Sequence, residues 1–95
     1  KVFPEEVEEV IKRHDAVADC LIFGIPDERF GQRIVGVYSL RAGATADTAA
    51  VIDEARAHLS SYKLPRQLVA VETTPRQPNG KADYPGARAL FDAAT

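Results

Sequence analysis

One loop is better suited to chemistry than the rest of the chain, and it runs from Pro75 to Lys81 with the sequence Pro-Arg-Gln-Pro-Asn-Gly-Lys. Its two prolines restrict the backbone, and Asn79-Gly80 favours positive φ and a tight reversal. Gly80 has no side chain, so another group can approach the backbone beside Lys81 closely. A lysine on such a tip can act as a mobile positive charge toward a carboxylate or phosphate oxygen. Since Asn-Gly-Lys also occurs in ordinary surface turns, the loop alone leaves a catalytic and a structural interpretation open.

Most familiar catalytic and metal-binding patterns are absent from the sequence. It has one cysteine, two widely separated histidines, and neither an HExxH nor a GxSxG motif. The loop is not a Walker A loop, because Pro75 stands in place of the first glycine and Ala82 in place of the Ser or Thr that contacts magnesium. We therefore expect no metal site and no complete active site in this chain.

The composition limits the class of protein and of partner. With 95 residues, 45% hydrophobic and 27% charged, the chain fits one globular domain with a limited core. A net charge of −2 gives no electrostatic basis for binding nucleic acid or an anionic membrane. No apolar run approaches the roughly 20 residues of a membrane span. The only cysteine, Cys20, lies in an apolar run, so we expect a buried thiol and a reducing compartment, the cytoplasm.

The elements that must position the loop are predicted from hydrophobic spacing and turn residues. Helices are expected at residues 4–14, from Thr45 or Asp47 to about Leu59, and at 85–94. Strands are expected at 18–25, 33–41 and 68–72, the first two pairing as an antiparallel hairpin. The continuous apolar character of the first strand indicates burial on both faces. The predicted fold class is α+β, a small sheet of about three strands with helices packed on it.

The first helix carries charges of the sign that its dipole favours, with an acidic start and a basic end. These residues are Glu5, Glu6, Glu8 and Glu9, then Lys12, Arg13 and His14. We interpret them as a solvated face rather than a substrate site. In the last helix, the spacing predicts that Ala87, Leu90 and Phe91 face the core.

Five segments occur in the order found in one family of domains. They are Val2 to Glu8, Ala16 to Asp19, Gly24 to Gln32, Tyr62-Lys63-Leu64-Pro65, and Pro75 to Lys81, which reads Pro-x-x-x-x-Gly-Lys. Together they resemble the C-terminal domain of the adenylate-forming superfamily, which includes acyl- and aryl-CoA synthetases, the adenylation domains of non-ribosomal peptide synthetases, and firefly luciferase. The resemblance covers nearly the whole chain. After the lysine, Ala82-Asp83-Tyr84-Pro85 replaces the more usual Val-Asp-Arg-Arg, which puts a role for basic residues there in doubt.

The resemblance implies that residues 1–95 are the mobile C-terminal domain of an AMP-forming acyl-CoA synthetase whose large N-terminal domain is absent from this chain. Lys1 is not an initiator Met, which fits an upstream part. Such an enzyme joins a carboxylic acid, here expected to be a fatty acid, to ATP, giving an acyl-adenylate and pyrophosphate. The thiol of CoA then displaces AMP. ATP and CoA are thus substrates, the N-terminal domain binds Mg²⁺, and the fragment alone is expected to be inactive.

The same resemblance assigns Lys81 as the catalytic residue of the first step, where its ammonium would bridge the acyl carboxylate and the α-phosphate. Gly80, Tyr62 and Lys63 are the candidate cofactor-binding residues. Tyr62 resembles an aromatic position that stacks on the adenine of CoA, and Lys63 would meet CoA phosphates. Each residue also has a structural interpretation, in which Tyr62 closes a helix end against the core and Lys63 is a solvated loop charge.

Two other functions stay open at this point. The acyl group could be transferred to the pantetheine of a carrier protein instead of free CoA. Alternatively, the chain could be a non-catalytic α+β interaction module, with Lys81 on an ordinary turn. The sequence ahead of Lys1 would separate the enzyme from the module, since only the enzyme needs an upstream domain with a phosphate-binding loop.

Overall fold

Three helices and three strands form close to the predicted positions, with shifts at their ends. The computed structural model describes all of residues 1–95. In chain order the elements are α1 (Pro4–Ile11), β1 (Val17–Asp27), β2 (Gly31–Leu40), α2 (Thr48–Ala55), a short 3-10 helix (Ser61–Lys63), β3 (Gln67–Ala70) and α3 (Tyr84–Ala94). The predicted α+β class is confirmed.

The sheet has the order β1-β2-β3, so β1 and β3 are its edges. β1 and β2 form the expected antiparallel hairpin, with Asp27 opposite Gly31. β3 adds to β2 in parallel, with Val35 opposite Gln67. The hairpin plus one further strand is therefore confirmed, and the third strand joins through a crossover that contains α2.

β1 continues through Pro26, where the sequence analysis placed the end of the strand. The amide of Ile22 bonds a side chain rather than β2, so it faces the free edge of the sheet. Pro26 lies four residues further along the same strand, and its missing N–H therefore falls on the free edge as well. Proline is tolerated at such a position because no ladder hydrogen bond is lost there.

Two apolar layers enclose the sheet, one on each face. Cys20 and Ile22 point to the layer under α1 and α2, whereas Leu21 and Ile25 point to the layer under α3. The predicted burial of this strand on both faces is confirmed, and Cys20 is the buried thiol that its neighbours indicated. Burial raises the pKa of that thiol, which suits an inert core residue rather than a nucleophile.

Helix ends depart from the sequence prediction. α1 stops at Ile11 instead of residue 14, and its last amides bond three residues back, as Arg13 does to the carbonyl of Val10. This tightening turns the chain into β1 within a few residues. α2 stops at Ala55, although Leu59 is buried as expected. The prediction that Leu90 faces the core is wrong, because it is 39% exposed beside the narrow stripe that α3 lays on the sheet.

Glu8 corrects the prediction of a fully solvated acidic face on α1. It is only 7% exposed, and its Oε2 accepts hydrogen bonds from the Ile22 amide at 2.9 Å and from the Tyr84 hydroxyl at 2.7 Å. The carboxylate thus satisfies an amide that the free edge of β1 would otherwise leave without a partner. Burial raises the pKa of Glu8 above its usual value, while the bonds from Ile22 and Tyr84 act in the opposite direction.

Replacing Glu8 by alanine should destabilise the fold, because the Ile22 amide and the Tyr84 hydroxyl would lose their shared acceptor. We expect the free energy of unfolding to fall by about 1–3 kcal/mol, measured by urea denaturation. Glu9→Ala is the matched control, since Glu9 lies on the same helix, is exposed and pairs with Lys12. The control should change the free energy of unfolding by less than about 0.5 kcal/mol. Equal effects of the two substitutions would contradict the structural role of Glu8.

Glu8 should also make the stability depend on pH. Its folded pKa lies above the ordinary value of 4.5, so the folded chain takes up a proton at a higher pH than the unfolded chain does. The contribution of Glu8 to stability therefore increases as the pH falls through the folded pKa toward the unfolded one. Glu8→Gln keeps an acceptor oxygen but does not titrate, and it should lack this increase. Denaturation curves of the wild type and of Glu8→Gln from about pH 7 to about pH 4.5 measure the difference in their free energies of unfolding. A difference that does not change with pH would contradict the prediction.

Candidate functional site

Lys81 lies in a small hairpin between β3 and α3, which we call the lysine hairpin and define as residues 76–82. Arg76 and Ala82 form an antiparallel bridge at its base. The amide of Gln77 donates to the carbonyl of Lys81 at 2.8 Å, and the amide of Gly80 donates to the carbonyl of Gln77 at 2.8 Å. The backbone next to Lys81 is therefore fixed by hydrogen bonds, in addition to the restriction that its two prolines impose.

Gly80 has the positive φ that the sequence predicted, at +87°. A Cβ placed there would meet no atom within 4 Å, so within this chain glycine is required by conformation and not by space. The side chain of Asn79 accepts a hydrogen bond from the amide of Lys81 at 3.0 Å, which closes the turn. Lys81 itself is exposed and takes part in none of the ion pairs of the chain. The hairpin thus presents an ammonium group to the outside.

Arg76 ties the lysine hairpin to the free edge of β1. Its Nε donates to Asp19 Oδ2 and its Nη2 to Asp19 Oδ1, both at 2.8 Å. Its Nη1 donates to the carbonyl of Gly80 at 3.0 Å. The guanidinium therefore hydrogen-bonds β1 through Nε and Nη2 and the tip of the turn through Nη1. The planar arrangement of arginine's donors suits this double role.

The electrostatic balance keeps this anchor ionised. Partial burial acts to raise the pKa of Asp19, but the hydrogen bonds from Arg76 and from the Cys20 amide outweigh it, so the pKa lies below its usual value. The pKa of Arg76 is raised by the same pairing. Sequence reasoning missed both residues. An aspartate in an otherwise apolar strand was a signal, but its partner 57 residues away could not be read from spacing.

Tyr62 lines an open cavity of about 600 Å³ on another part of the surface. We call it the Tyr62 cleft, and its walls include Phe23, Phe30, Arg33, Ile34, Tyr62 and Arg66. Tyr62 is 65% exposed and Phe30 is 62% exposed. The interpretation of Tyr62 as a residue packed against the core is therefore wrong. The cleft combines exposed aromatic rings with arginines, a lining that suits a ligand with both a flat ring and anionic groups.

The hairpin between β1 and β2 shapes one side of this cleft. Asp27 Oδ1 accepts hydrogen bonds from the amides of Arg29 at 2.8 Å and Phe30 at 3.3 Å, and Gly31 follows with φ +79°. Gly31 therefore serves the hairpin turn. The guanidinium of Arg66 lies 6.0 Å from the centroid of the Phe30 ring, and that of Arg29 lies 5.3 Å away. The Phe30 ring thus holds positive charge at the cleft rim.

Lys63 is held by α1 instead of being a free loop charge. Its Nζ lies 3.0 Å and 3.3 Å from the two carboxylate oxygens of Glu6. Hydrogen bonding to Glu6 raises the pKa of Lys63. The ammonium also lies 5.9 Å from the centroid of the Tyr62 ring. Lys63 thus borders the exposed aromatic ring, although it does not line the Tyr62 cleft.

The structure keeps the candidate residues in two places. The lining of the Tyr62 cleft includes neither Lys81 nor Gly80. No three His, Cys, Asp or Glu side chains come together in a way that could hold a metal ion. None of the helices has the length and apolar character needed to cross a membrane.

Known proteins resemble this chain in sequence and in fold. The family model for the AMP-binding enzyme C-terminal domain matches residues 6–81. The chain is 44% identical over 88 residues to a 3-oxocholest-4-en-26-oate–CoA ligase of Rhodococcus rhodochrous and 47% identical over 88 residues to the medium-chain acyl-CoA ligase Mig of Mycobacterium avium. Each match covers 93% of this chain and 16% of the relative. A solved Mycobacterium tuberculosis fatty acyl CoA synthetase matches with a TM-score of 0.85 and 27% identity, over 98% of this chain and 18% of that one.

The family match includes most residues of the lysine hairpin and of the Tyr62 cleft. The chain spans about one sixth of the length of the curated relatives, so it corresponds to one part of such proteins. Since the family model covers most of the 95 residues, the chain belongs to the AMP-binding enzyme C-terminal domain family, as its resemblance to the adenylate-forming superfamily predicted.

Proposed function

We propose that this chain is the mobile C-terminal domain of an ATP-dependent, AMP-forming acyl-CoA synthetase, and that it supplies Lys81 to adenylation. The observation that carries the proposal is an exposed ammonium, without an ion-pair partner, on a hydrogen-bonded tip of a domain of this family. The large N-terminal domain of the enzyme is the partner that would present the substrates. The single buried thiol supports a reducing compartment such as the cytoplasm.

The first half-reaction explains why a cation is needed. A carboxylate oxygen attacks the α-phosphorus of ATP, the new O–P bond forms, and the bond to pyrophosphate breaks. Both reactants are anions, so their approach is repulsive, and negative charge concentrates around the α-phosphorus in the transition state. An ammonium with three N–H donors, carried on a hydrogen-bonded backbone, can contact the carboxylate and the α-phosphate oxygens together. Its effect is greater in a closed site of low polarity than in water.

The second half-reaction would use the Tyr62 cleft. The thiol of CoA attacks the carbonyl carbon of the acyl-adenylate, and AMP leaves. The exposed ring of Tyr62 offers a stacking surface for the adenine of CoA, and Arg33 and Arg66 offer charge for its phosphates. Two contacts of the Lys63 ammonium go to Glu6, which leaves a third N–H for a phosphate oxygen.

No group of His, Cys, Asp or Glu side chains in this chain could hold the Mg²⁺ that accompanies ATP, so we assign the metal to the N-terminal domain. The acid is also bound outside this chain. The relatives are named as ligases of a medium-chain acyl group and of a steroid carboxylate, both acids with large apolar parts. We therefore propose a hydrophobic carboxylic acid of the fatty-acid class as the substrate. Pyrophosphate exchange by the full-length enzyme with a panel of acids of increasing length tests this, and a preference for small polar acids would contradict it.

Transfer to a carrier protein is the alternative for the second step. Pantetheine is common to CoA and to carrier proteins, and only CoA adds an adenine and a 3′-phosphate. The aromatic and cationic lining of the Tyr62 cleft favours free CoA for that reason. Incubation of the full-length enzyme with acid, ATP and CoA should yield acyl-CoA. Accumulation of acyl-adenylate that only a carrier protein discharges would overturn the choice of acceptor.

Lys81→Ala in the full-length ligase should slow acyl-adenylate formation by about 10²- to 10³-fold, because the transition state loses a positioned charge. Thioester formation from chemically prepared acyl-adenylate should change by less than about threefold, since Lys81 lies outside the Tyr62 cleft. Rapid-quench measurement of each half-reaction separates the two rates. Arg56→Ala is the control, because Arg56 is an exposed cation that pairs with Asp53 on α2. Normal adenylation by Lys81→Ala would refute the role of this lysine.

Tyr62→Ala should raise the KM for CoA about tenfold, as expected when an aromatic ring that stacks on a base is removed. Acyl-adenylate formation should stay near the wild-type rate. Tyr62→Phe keeps the ring, which is largely exposed, and should retain nearly normal KM. Steady-state kinetics with varied CoA concentration measure the effect. An unchanged KM for CoA in Tyr62→Ala would contradict the binding of CoA in the Tyr62 cleft.

A further inference from the structure

We propose that Arg76 and Asp19 form a positioning pair, which holds the lysine hairpin so that Lys81 reaches the reacting anions in adenylation. This inference rests on the proposed function and adds two residues to it. Neither residue would touch a substrate. Their action is through the backbone that carries Lys81.

The geometry of Arg76 supports a positioning role. The guanidinium makes two parallel hydrogen bonds of 2.8 Å to the carboxylate of Asp19. A third bond of 3.0 Å reaches the carbonyl of Gly80, the residue that directly precedes Lys81. A shift of the sheet edge relative to the turn would break at least one of these bonds. Arg76 therefore fixes the position of the Lys81 backbone relative to β1 as well as the shape of the turn.

The two sides of the lysine hairpin are anchored differently. Beyond its base, Asp83 accepts a hydrogen bond from the Gly86 amide at the start of α3, and Tyr84 donates to the buried Glu8. On the side that enters the hairpin, the hydroxyl groups of Thr74 and Ser39 of β2 form a buried hydrogen bond of 2.7 Å. Within the hairpin, Arg76 makes the side-chain bonds to Asp19 of β1. Loss of Arg76 would thus release the tip of the hairpin from β1, while the chain on either side of the hairpin stays attached.

The position of the pair separates catalysis from stability. The side chain of Arg76 is 33% exposed and that of Asp19 is 20% exposed. Partly exposed ion pairs contribute modestly to global stability, and the bidentate geometry places this pair at the upper end of their range. Catalysis is far more sensitive, because a misplacement of about 1 Å can lower a rate by about 10²-fold. A substitution of Arg76 or Asp19 should therefore have a large effect on the rate of adenylation and a small effect on the stability of the fold.

The test uses Arg76→Ala in the full-length ligase. We expect the kcat of acyl-adenylate formation to fall about 10- to 100-fold, while the KM values for ATP and acid change by less than about twofold. The rate of thioester formation from prepared acyl-adenylate and the urea midpoint of unfolding should stay near wild type. Asp19→Asn keeps an acceptor but loses the charge, so it should give a smaller loss in the same half-reaction. Arg88→Ala is the matched control, since Arg88 pairs with Asp92 on α3 and takes no part in the hairpin.

A double substitution decides whether Arg76 acts through Lys81. In a Lys81→Ala background, Arg76→Ala should lower the rate of acyl-adenylate formation by less than about twofold further, because there is no ammonium left to position. A full additional loss in that background would overturn the inference, as would equal slowing of both half-reactions or normal adenylation by Arg76→Ala. Failure of the proposed function is recognised separately, since Lys81→Ala alone would then leave adenylation unchanged.

Discussion

The free edge of β1 is the constraint on which the rest of the arrangement depends. An edge strand exposes amides that need partners, and an uncovered edge invites pairing with another chain. Here two carboxylates meet that need: Asp19 accepts from the Cys20 amide at 2.9 Å, and Glu8 accepts from the Ile22 amide at 2.9 Å. The same carboxylates bind Arg76 and Tyr84, which flank Lys81 in the sequence. Covering the edge and fixing the lysine hairpin are thus one set of interactions.

Lys81 differs from the paired cations of the chain, because no carboxylate of this domain neutralises it. Five of the twelve lysines and arginines form an ion pair, namely Lys12, Arg56, Lys63, Arg76 and Arg88. Lys81 is exposed and has no such partner. An internal counter-ion would have to be displaced before the ammonium could meet an external anion. Its absence means that Lys81 can meet a carboxylate or phosphate without that loss, and rigidity of the turn limits the entropy lost on contact.

Local patterns in the sequence predicted much of the fold. The apolar run of β1, the hairpin and the positive φ at Gly80 each depend on residues close together in the chain, so spacing and turn chemistry reveal them. The anchors could not be found in that way. Arg76 meets Asp19 across 57 positions and Tyr84 meets Glu8 across 76. Four glutamates close together at the start of a helix indicate a solvated face, and only the fold shows that Glu8 is buried. Motif order placed Lys81 and Tyr62 as candidates, but only the fold shows that they lie apart.

The separation of the two candidate regions constrains how a single domain could serve two half-reactions. β1 carries Asp19, which anchors the lysine hairpin, and Gly24, which lines the Tyr62 cleft. Five residues of extended strand span about 16 Å. This is several times the reach of a hydrogen bond, so the lysine hairpin and the Tyr62 cleft are separate surfaces of the domain. The sheet between them has apolar layers on both faces and cannot fold to close the gap. If both regions must face the same place in a partner domain at successive steps, this domain must turn as a unit between them, with the sheet as the rigid body that keeps the two regions apart.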